Sequence, residues 1–341
     1  TITAMILHVL QACEFPTDYM VGAQLEGFDC MVKLTEQTND IVLEGDEYLS
    51  SPIDRRPKFH LYQPHIALLS GIAWDHINVF PSFKEYVEQF EIFAKSVKAG
   101  GDLVYYDGDP RLRAIADQQK HRLELYPYNE HEAVIRNGIT YLTTNIGEVA
   151  ISVFGKHNLQ NISGARLICN CMGIPDEAFY RSIASFGGAS KRMELVQKTD
   201  TNLVYKDFAH SPSKLKATTQ ALKEQYPERK LVACMELHTF SSLSVSFLDE
   251  YRGTMGQADV AMVYFSPKAL AHKKLPPITP MQIKDAFASA NVVVYNDGEK
   301  LVEDLMMQRG SDVNFLLMSS GNFGGMDVDE ISARLIELEK A

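Results

Sequence analysis

The sequence predicts an α/β protein of two domains. Three observations predict it. The chain has 341 residues, which suits two domains better than one. From about Ser190 onward, short apolar runs alternate with amphipathic helical stretches, the pattern of a doubly wound parallel sheet. Before that point, apolar runs such as His65-Ile-Ala-Leu-Leu69 are bounded by glycine, as buried parallel strands are.

The composition supports sizeable cores: 45% of residues are hydrophobic, 10% aromatic and 23% charged. Thirty-three basic against 44 acidic residues leave a formal charge of −11. That balance argues against a general nucleic-acid or anionic-membrane binder, which needs a basic footprint. A small phosphorylated ligand needs only a local positive site and stays open. Cys13, Cys30, Cys169, Cys171 and Cys234 are odd in number and form no disulfide framework, so they read as free thiols in a reducing compartment. No signal peptide or membrane-spanning run is visible, and a cytoplasmic protein is expected.

The elements follow in order. Ile2, Met5, Ile6 and Val9 recur at spacings of three and four, so Thr1–Leu10 reads as a helix. Asp40–Glu47 reads as a short strand ending in carboxylates. His65–Leu69 is the next strand, followed by Gly71–Phe80, which holds the only tryptophan, Trp74, and the pair Asp75-His76. A polar cluster just past the C-terminal end of a parallel strand is where open α/β sheets place ligands. Phe83, Val87, Phe90, Phe93 and Val97 mark a helix stopped by Gly100-Gly101, and Leu103–Tyr106 begins another strand. Glu124–Val153 alternates apolar runs with turns such as Arg136-Asn-Gly138, a hairpin signature. Gly155–Asn161 precedes a helix through Ile168, and Pro175 opens one that stops at Gly187-Gly188. The domain boundary is placed near Gly188–Arg192. Beyond it, strands are expected near Leu203–Tyr205, Leu231–Met235, Val260–Tyr264, Val292–Tyr295 and Phe315–Met318. Helices are expected near Ser213–Gln225, Met281–Ala288, Glu299–Met307 and Val328–Leu338.

Several clusters are candidates for chemistry. Glu44, Asp46 and Glu47 end one predicted strand; Asp75 and His76 follow another. If those strands are neighbours, carboxylate and imidazole converge and could hold a divalent metal, with carboxylates and water suiting Mg²⁺ or Mn²⁺. The same residues also read as solvated loop charges with a locally bonded histidine. Asn158 reads either as a helix cap or as a base-recognising amide. Phe186–Arg192 is a glycine-rich linker or a phosphate contact. In Asp207–Pro212, Pro212 lies in a first helical turn, Ser211 is placed to cap it, and Asp207 could bind ribose hydroxyls. Gly321–Gly325 follows the last strand and turns the chain. No Gly-x-Gly-x-x-Gly or Gly-Lys-[Ser/Thr] loop and no Ser/His/Asp signature is present.

Taken together, these stretches resemble the Mur ligase family, the ATP-dependent amide-forming enzymes of peptidoglycan synthesis. Thr1–Met5 resembles the helix after the family's Gly-Lys-Thr loop, Leu43–Glu47 its acidic strand end and Ala73–His76 its Asp-His motif. His157-Asn158 resembles its adenine-side pair, Lys191-Arg192 its hinge arginine, and Asp207–Pro212 its Asp-x-x-His-x-Pro segment. Within the family the likeness is to the murein peptide ligase branch, whose Asp-Phe-Ala-His-His-Pro is similar to Asp207-Phe-Ala-His-Ser-Pro212. Phe315–Gly325 looks like that branch's terminal strand and loop. Met235–Phe240 departs from the pattern where the family carries an arginine, and Ser211 replaces a second histidine.

The resemblance implies a central P-loop-type, mostly parallel sheet domain over 1–188, its phosphate loop truncated, and a Rossmann-like C-terminal α/β domain over 189–341. It implies ATP and Mg²⁺ as cofactors, with UDP-N-acetylmuramate and a murein peptide (L-Ala-γ-D-Glu-meso-diaminopimelate) joined through an acyl phosphate in peptidoglycan recycling. Under it, Glu44 and His76 hold metal and act in catalysis with His210. Asn158 and His157 meet adenine, Asp207 the ribose and Arg192 the phosphates. His238, Ser241 and Asn322 are candidates on the substrate side. Glu91 stands near a position where several members carry a carbamylated lysine, and also reads as a solvated helix residue. L-Alanine as the acceptor, or a non-catalytic nucleotide-binding scaffold, are the alternatives. Without the phosphate loop, residues 1–341 are expected to bind ATP weakly and not to catalyse on their own.

Overall fold

The computed structural model describes residues 1–25, 27–74, 79–189, 192–289 and 291–337. The chain forms two compact units, residues 1–190 and 191–341.

The first unit opens with α1 (Ile2–Ala12), which buries Ala4, Met5, Ile6, Leu7, Val9 and Leu10. A helix apolar around most of its circumference is one enclosed by protein. β1 (Asp18–Met20), β2 (Val32–Lys33) and β3 (Ile41–Leu43) form a small sheet, with β1 parallel to β3 and antiparallel to β2. β4 (Ile66–Leu69), α2 (Phe83–Ser96), β5 (Asp102–Tyr106), α3 (Pro110–Asp117) and β6 (Glu124–Tyr128) follow. Their strands make an all-parallel sheet in the order β4-β5-β6. β7 (Ala133–Arg136), β8 (Ile139–Thr144) and β9 (Gly147–Ile151) are antiparallel hairpins. α4 (Lys156–Cys171) and α5 (Asp176–Ile183) close the unit.

Local chemistry sets these elements. Ser82 and Glu85 exchange hydrogen bonds in a capping box that starts α2. Asp109 caps α3, with Pro110 at the first helical position. Alternation along β5 divides the core. Val104 joins Met5, Val9, Ile162 and Phe179 on one side, while Leu103 and Tyr105 join Phe90, Phe93 and Leu112 on the other.

The second unit begins with β10 (Glu194–Lys198) and β11 (Leu203–Asp207), then α6 (Pro212–Gln225) and β12 (Lys230–Leu237). β13 (Val260–Phe265), α7 (Pro267–His272), α8 (Pro280–Phe287), β14 (Val292–Tyr295), α9 (Gly298–Met306), β15 (Val313–Met318) and α10 (Val328–Ile336) complete it. The six-stranded sheet runs β10-β11-β15-β12-β13-β14 and is parallel except for β10. β15 enters between β11 and β12, so the C-terminal ends of these three strands gather at one edge. That is where doubly wound sheets bind ligands.

Candidate functional site

In the first unit, Glu44 directly follows β3, and its Oε2 accepts the Gly22 N–H at 2.6 Å. The rest of the acidic trio turns to local partners. Asp46 accepts from Tyr48 N at 3.0 Å and Lys58 Nζ at 3.2 Å, and Glu47 accepts from Tyr86 Oη at 3.0 Å. Tyr62, whose hydroxyl donates to Glu44 O at 3.5 Å, has a raised pKa, first from burial and then from the charges of Asp46 and Glu44. Among the described residues β3 pairs with β1 and β4 with β5, so the two strands expected to be neighbours lie in separate sheets.

Asp75 and His76 lie outside the described residues. Their flanks are fixed: Ile72 N donates to Asp109 Oδ2 at 3.0 Å, and Trp74 Nε1 donates to Phe80 O at 3.1 Å. Among the described residues no group of three His, Cys, Asp or Glu side chains gathers to hold a metal. A single carboxylate completed by water and substrate oxygens is a common Mg²⁺ arrangement, and Glu44 fits that role. Glu91 sits half-buried on α2.

Residues 156–158 form the first turn of α4, so the helix starts earlier than the sequence reading places it. Gly155 is the N-cap, and Asn158 is not. Asn158 is 7% exposed and donates to Phe154 O at 2.9 Å. His157 is half-buried beside it.

The second unit assembles more of the expected residues. Asp207 ends β11, and its oxygens accept Met193 N at 2.7 Å and Ala209 N at 2.6 Å. Burial pushes the Asp207 carboxyl up, opposed by the Met193 N–H, the Arg192 charge, the Ala209 N–H and the Lys214 charge. The Arg192 guanidinium lies 5.3 Å from the Phe208 ring centre; Lys191 falls outside the described residues. His210 Nδ1 donates to Phe208 O at 2.9 Å, which fixes the tautomer, because a carbonyl can only accept. Ser211 precedes α6 but makes no cap bond; its hydroxyl is buried without a partner among the described residues.

At the ends of β12 and β15, Glu236 is 1% exposed and accepts from Phe323 N at 2.8 Å, Gly324 N at 3.1 Å and the Ser319 hydroxyl. His238 Nδ1 stands 3.6 Å from Glu236 Oε1, beyond hydrogen-bond length. A Cβ on Gly321 would lie 2.5 Å from the His238 ring. Asn322 is exposed in the same turn, and Ser241 is buried. Glu236 is not among the residues that the sequence alone marks as candidates. Its signal was a lone acid inside the apolar run of β12.

A cavity of about 370 Å³ opens beside the β6–β7 turn and α4. Several of its polar groups meet partners within the chain, while Tyr128 Oη and Arg166 Nε are buried without one among the described residues. Tyr106 Oη donates to Glu130 at 2.8 Å, and Tyr180 Oη to His131 Nε2 at 2.8 Å. Arg166 Nη1 reaches both Asp176 oxygens at 3.0 and 2.9 Å.

Two family descriptions match the two units in order: Mur ligase middle domain over residues 1–169, and Mur ligase, glutamate ligase domain over 191–321. The chain belongs to the Mur ligase family. The UDP-N-acetylmuramate–L-alanine ligase of Limosilactobacillus reuteri is 27% identical over 270 residues, covering 76% of this chain and 58% of that protein. The UDP-N-acetylmuramate–L-alanyl-gamma-D-glutamyl-meso-2,6-diaminoheptandioate ligase of Haemophilus influenzae is 24% identical over 340 residues, 96% of this chain and 72% of that one. The chain thus spans less than two thirds of the first relative's length. A murein peptide ligase structure from Psychrobacter arcticus superposes with a TM-score of 0.65 at 18% identity, over 100% of this chain and 76% of that one, and shares the fold. Among the described residues no helix is long and apolar enough to cross a membrane.

Proposed function

We propose that this Mur ligase forms an amide bond, at the expense of ATP, between the lactyl carboxylate of UDP-N-acetylmuramate and the amine of a murein peptide, L-Ala-γ-D-Glu-meso-diaminopimelate. The observation that carries this reading is the likeness of Asp207-Phe-Ala-His-Ser-Pro212 to the murein peptide ligase segment Asp-Phe-Ala-His-His-Pro. The extent of likeness does not separate the acceptors, since an L-alanine ligase matches over 98% of the chain and the Haemophilus influenzae enzyme over 96%. A cytoplasmic role in peptidoglycan recycling follows from that acceptor.

The residues are assigned as follows. Glu44, with His76, would hold Mg²⁺, which when bound neutralises charge between two anionic reactants. Asn158 and His157 would flank adenine, and Arg192 would meet phosphate. Asp207 would accept ribose hydroxyls; its oxygens each carry a second lone pair beyond the backbone bonds already made. His210, held in one tautomer by Phe208 O, would face the reacting groups. His238, Ser241 and Asn322 would line the acceptor side. The boundary of the ATP-binding and acceptor domains is placed at 188/189.

A second reading takes L-alanine as the acceptor. It is favoured by the identity to the Limosilactobacillus reuteri enzyme, 27% against 24%. Ligation assays with the intact protein, ATP and UDP-N-acetylmuramate, offering each acceptor separately, decide between them. Product with tripeptide but little with alanine is expected. Alanine incorporation alone sinks the peptide assignment, and ATP turnover indifferent to both acceptors sinks the ligase reading.

A further inference from the structure

Glu236 is a buried carboxylate whose three hydrogen-bond donors among the described residues all come from the turn after β15. Burying a carboxylate is costly unless donors are arranged around it. The turn supplies that arrangement. Phe323, Gly324 and Gly325 take φ of 49°, 70° and 92°, left-handed values that aim successive N–H groups to one side. Such a nest of amides is an anion-binding concavity. Here the anion belongs to the chain itself: the Phe323 and Gly324 N–H groups close on Glu236 at 2.8 and 3.1 Å. The Ser319 hydroxyl donates to the same carboxylate, and Gly321 N donates to Ser319 Oγ at 2.7 Å. The His238 ring stands close to both this carboxylate and Gly321.

We propose that Glu236 is the positioning residue of the acceptor edge: its carboxylate fills the Phe323–Gly324 nest and so fixes the 319–325 turn and the face of His238 presented to the incoming amine. Its acceptor role rests on the ligase reading above; the filled nest does not. The filled nest also predicts that this turn binds no phosphate of its own while Glu236 is present.

The test has two arms. In the intact protein, amide hydrogen exchange at residues 321–325 is compared among wild type, Glu236→Gln and Glu236→Ala, each with and without formate. Both variants should exchange about tenfold faster or more at these amides. Formate, a free carboxylate, should restore protection in Glu236→Ala and leave wild type unchanged. Glu236→Gln keeps the volume and tests the charge should the alanine variant fail to fold. Unchanged exchange, or no formate effect on a folded Glu236→Ala, overturns the proposal. In the second arm, the acceptor KM of Glu236→Gln should rise about tenfold, with the ATP KM within about twofold of wild type. Equal rises in both overturn the acceptor role. A wild type that binds neither acceptor overturns the ligase reading with that role, and the exchange arm then decides the nest alone.

Discussion

Asp207 Oδ2 accepts the Met193 N–H at 2.7 Å, tying the start of the second unit to the tip of β11. The other oxygen holds Ala209 N at 2.6 Å, so one buried carboxylate shapes both sides of the strand end. In Asp207→Asn one backbone donor faces an amide N–H₂ instead of an oxygen, at a cost of about 1–3 kcal/mol. The pH dependence has a definite sign. Burial raises Asp207 above its ordinary 3.8, so the folded state binds more protons than the unfolded one between those values. Its contribution to stability therefore falls as pH rises from 3.8 through the raised value. Urea unfolding across the acid range should show that slope weakened in Asp207→Asn; an unchanged slope and midpoint would reject this account.

Two histidines of the first unit titrate in the opposite sense. His60 and His131 are both lowered from 6.5, chiefly by burial. Burial outweighs the backbone bonds that favour the charged ring: His60 Nε2 donates to Gln89 O at 2.9 Å, and His131 Nδ1 donates to Glu132 O at 2.8 Å. Between the lowered values and 6.5 the unfolded chain binds more protons, so stability present above 6.5 is lost as pH falls through that window. Unfolding midpoints should drop on acidification below 6.5, less steeply in His131→Gln than in wild type. Identical pH profiles would show that His131 does not carry the effect.

Gly321 is fixed by close approach. A methyl group there would press on the His238 ring at 2.5 Å and on Glu236 Oε2 at 2.9 Å. Gly321→Ala should cost about 1–3 kcal/mol through the displaced ring or turn. Chemical denaturation measures it, and a loss below about 0.5 kcal/mol, the level of ordinary surface changes, counts against the packing described.

How much of this was legible depended on element length and on how far apart partners stand in the chain. α2 was readable because its apolar spacing spans 14 residues, and its capping box reinforces that signal. The strands β11 to β15 are short apolar runs separated by helices, which is enough to announce a doubly wound sheet. β1 and β2 have three and two residues and carry no period. β10 is an antiparallel edge with polar, exposed residues, which blurs its apolar signal. Asp207 and His210 were legible as candidates because motif residues sit close together in sequence. Glu236 was not, because its three donors lie 83 to 88 residues away. Asn158 was misplaced relative to its helix because Gly155, not a polar side chain, starts α4.

Ser211 gives the sharpest test of where sequence logic and structure part. Serine immediately before Pro212 and a 14-residue helix is the expected capping residue, and its loss ordinarily costs about 1 kcal/mol. Here the Ser211 side chain makes no cap bond, and its Oγ is buried without a partner among the described residues. An unmet buried hydroxyl is a liability, and removing it leaves a shape alanine can fill. Ser211→Ala should therefore be neutral or stabilising by up to about 1 kcal/mol. Threonine, which keeps the hydroxyl and adds a methyl group to a site only 3% exposed, should destabilise. Urea unfolding of both variants reads the sign directly. A loss of a full capping bond in Ser211→Ala would mean that the hydroxyl serves the helix after all.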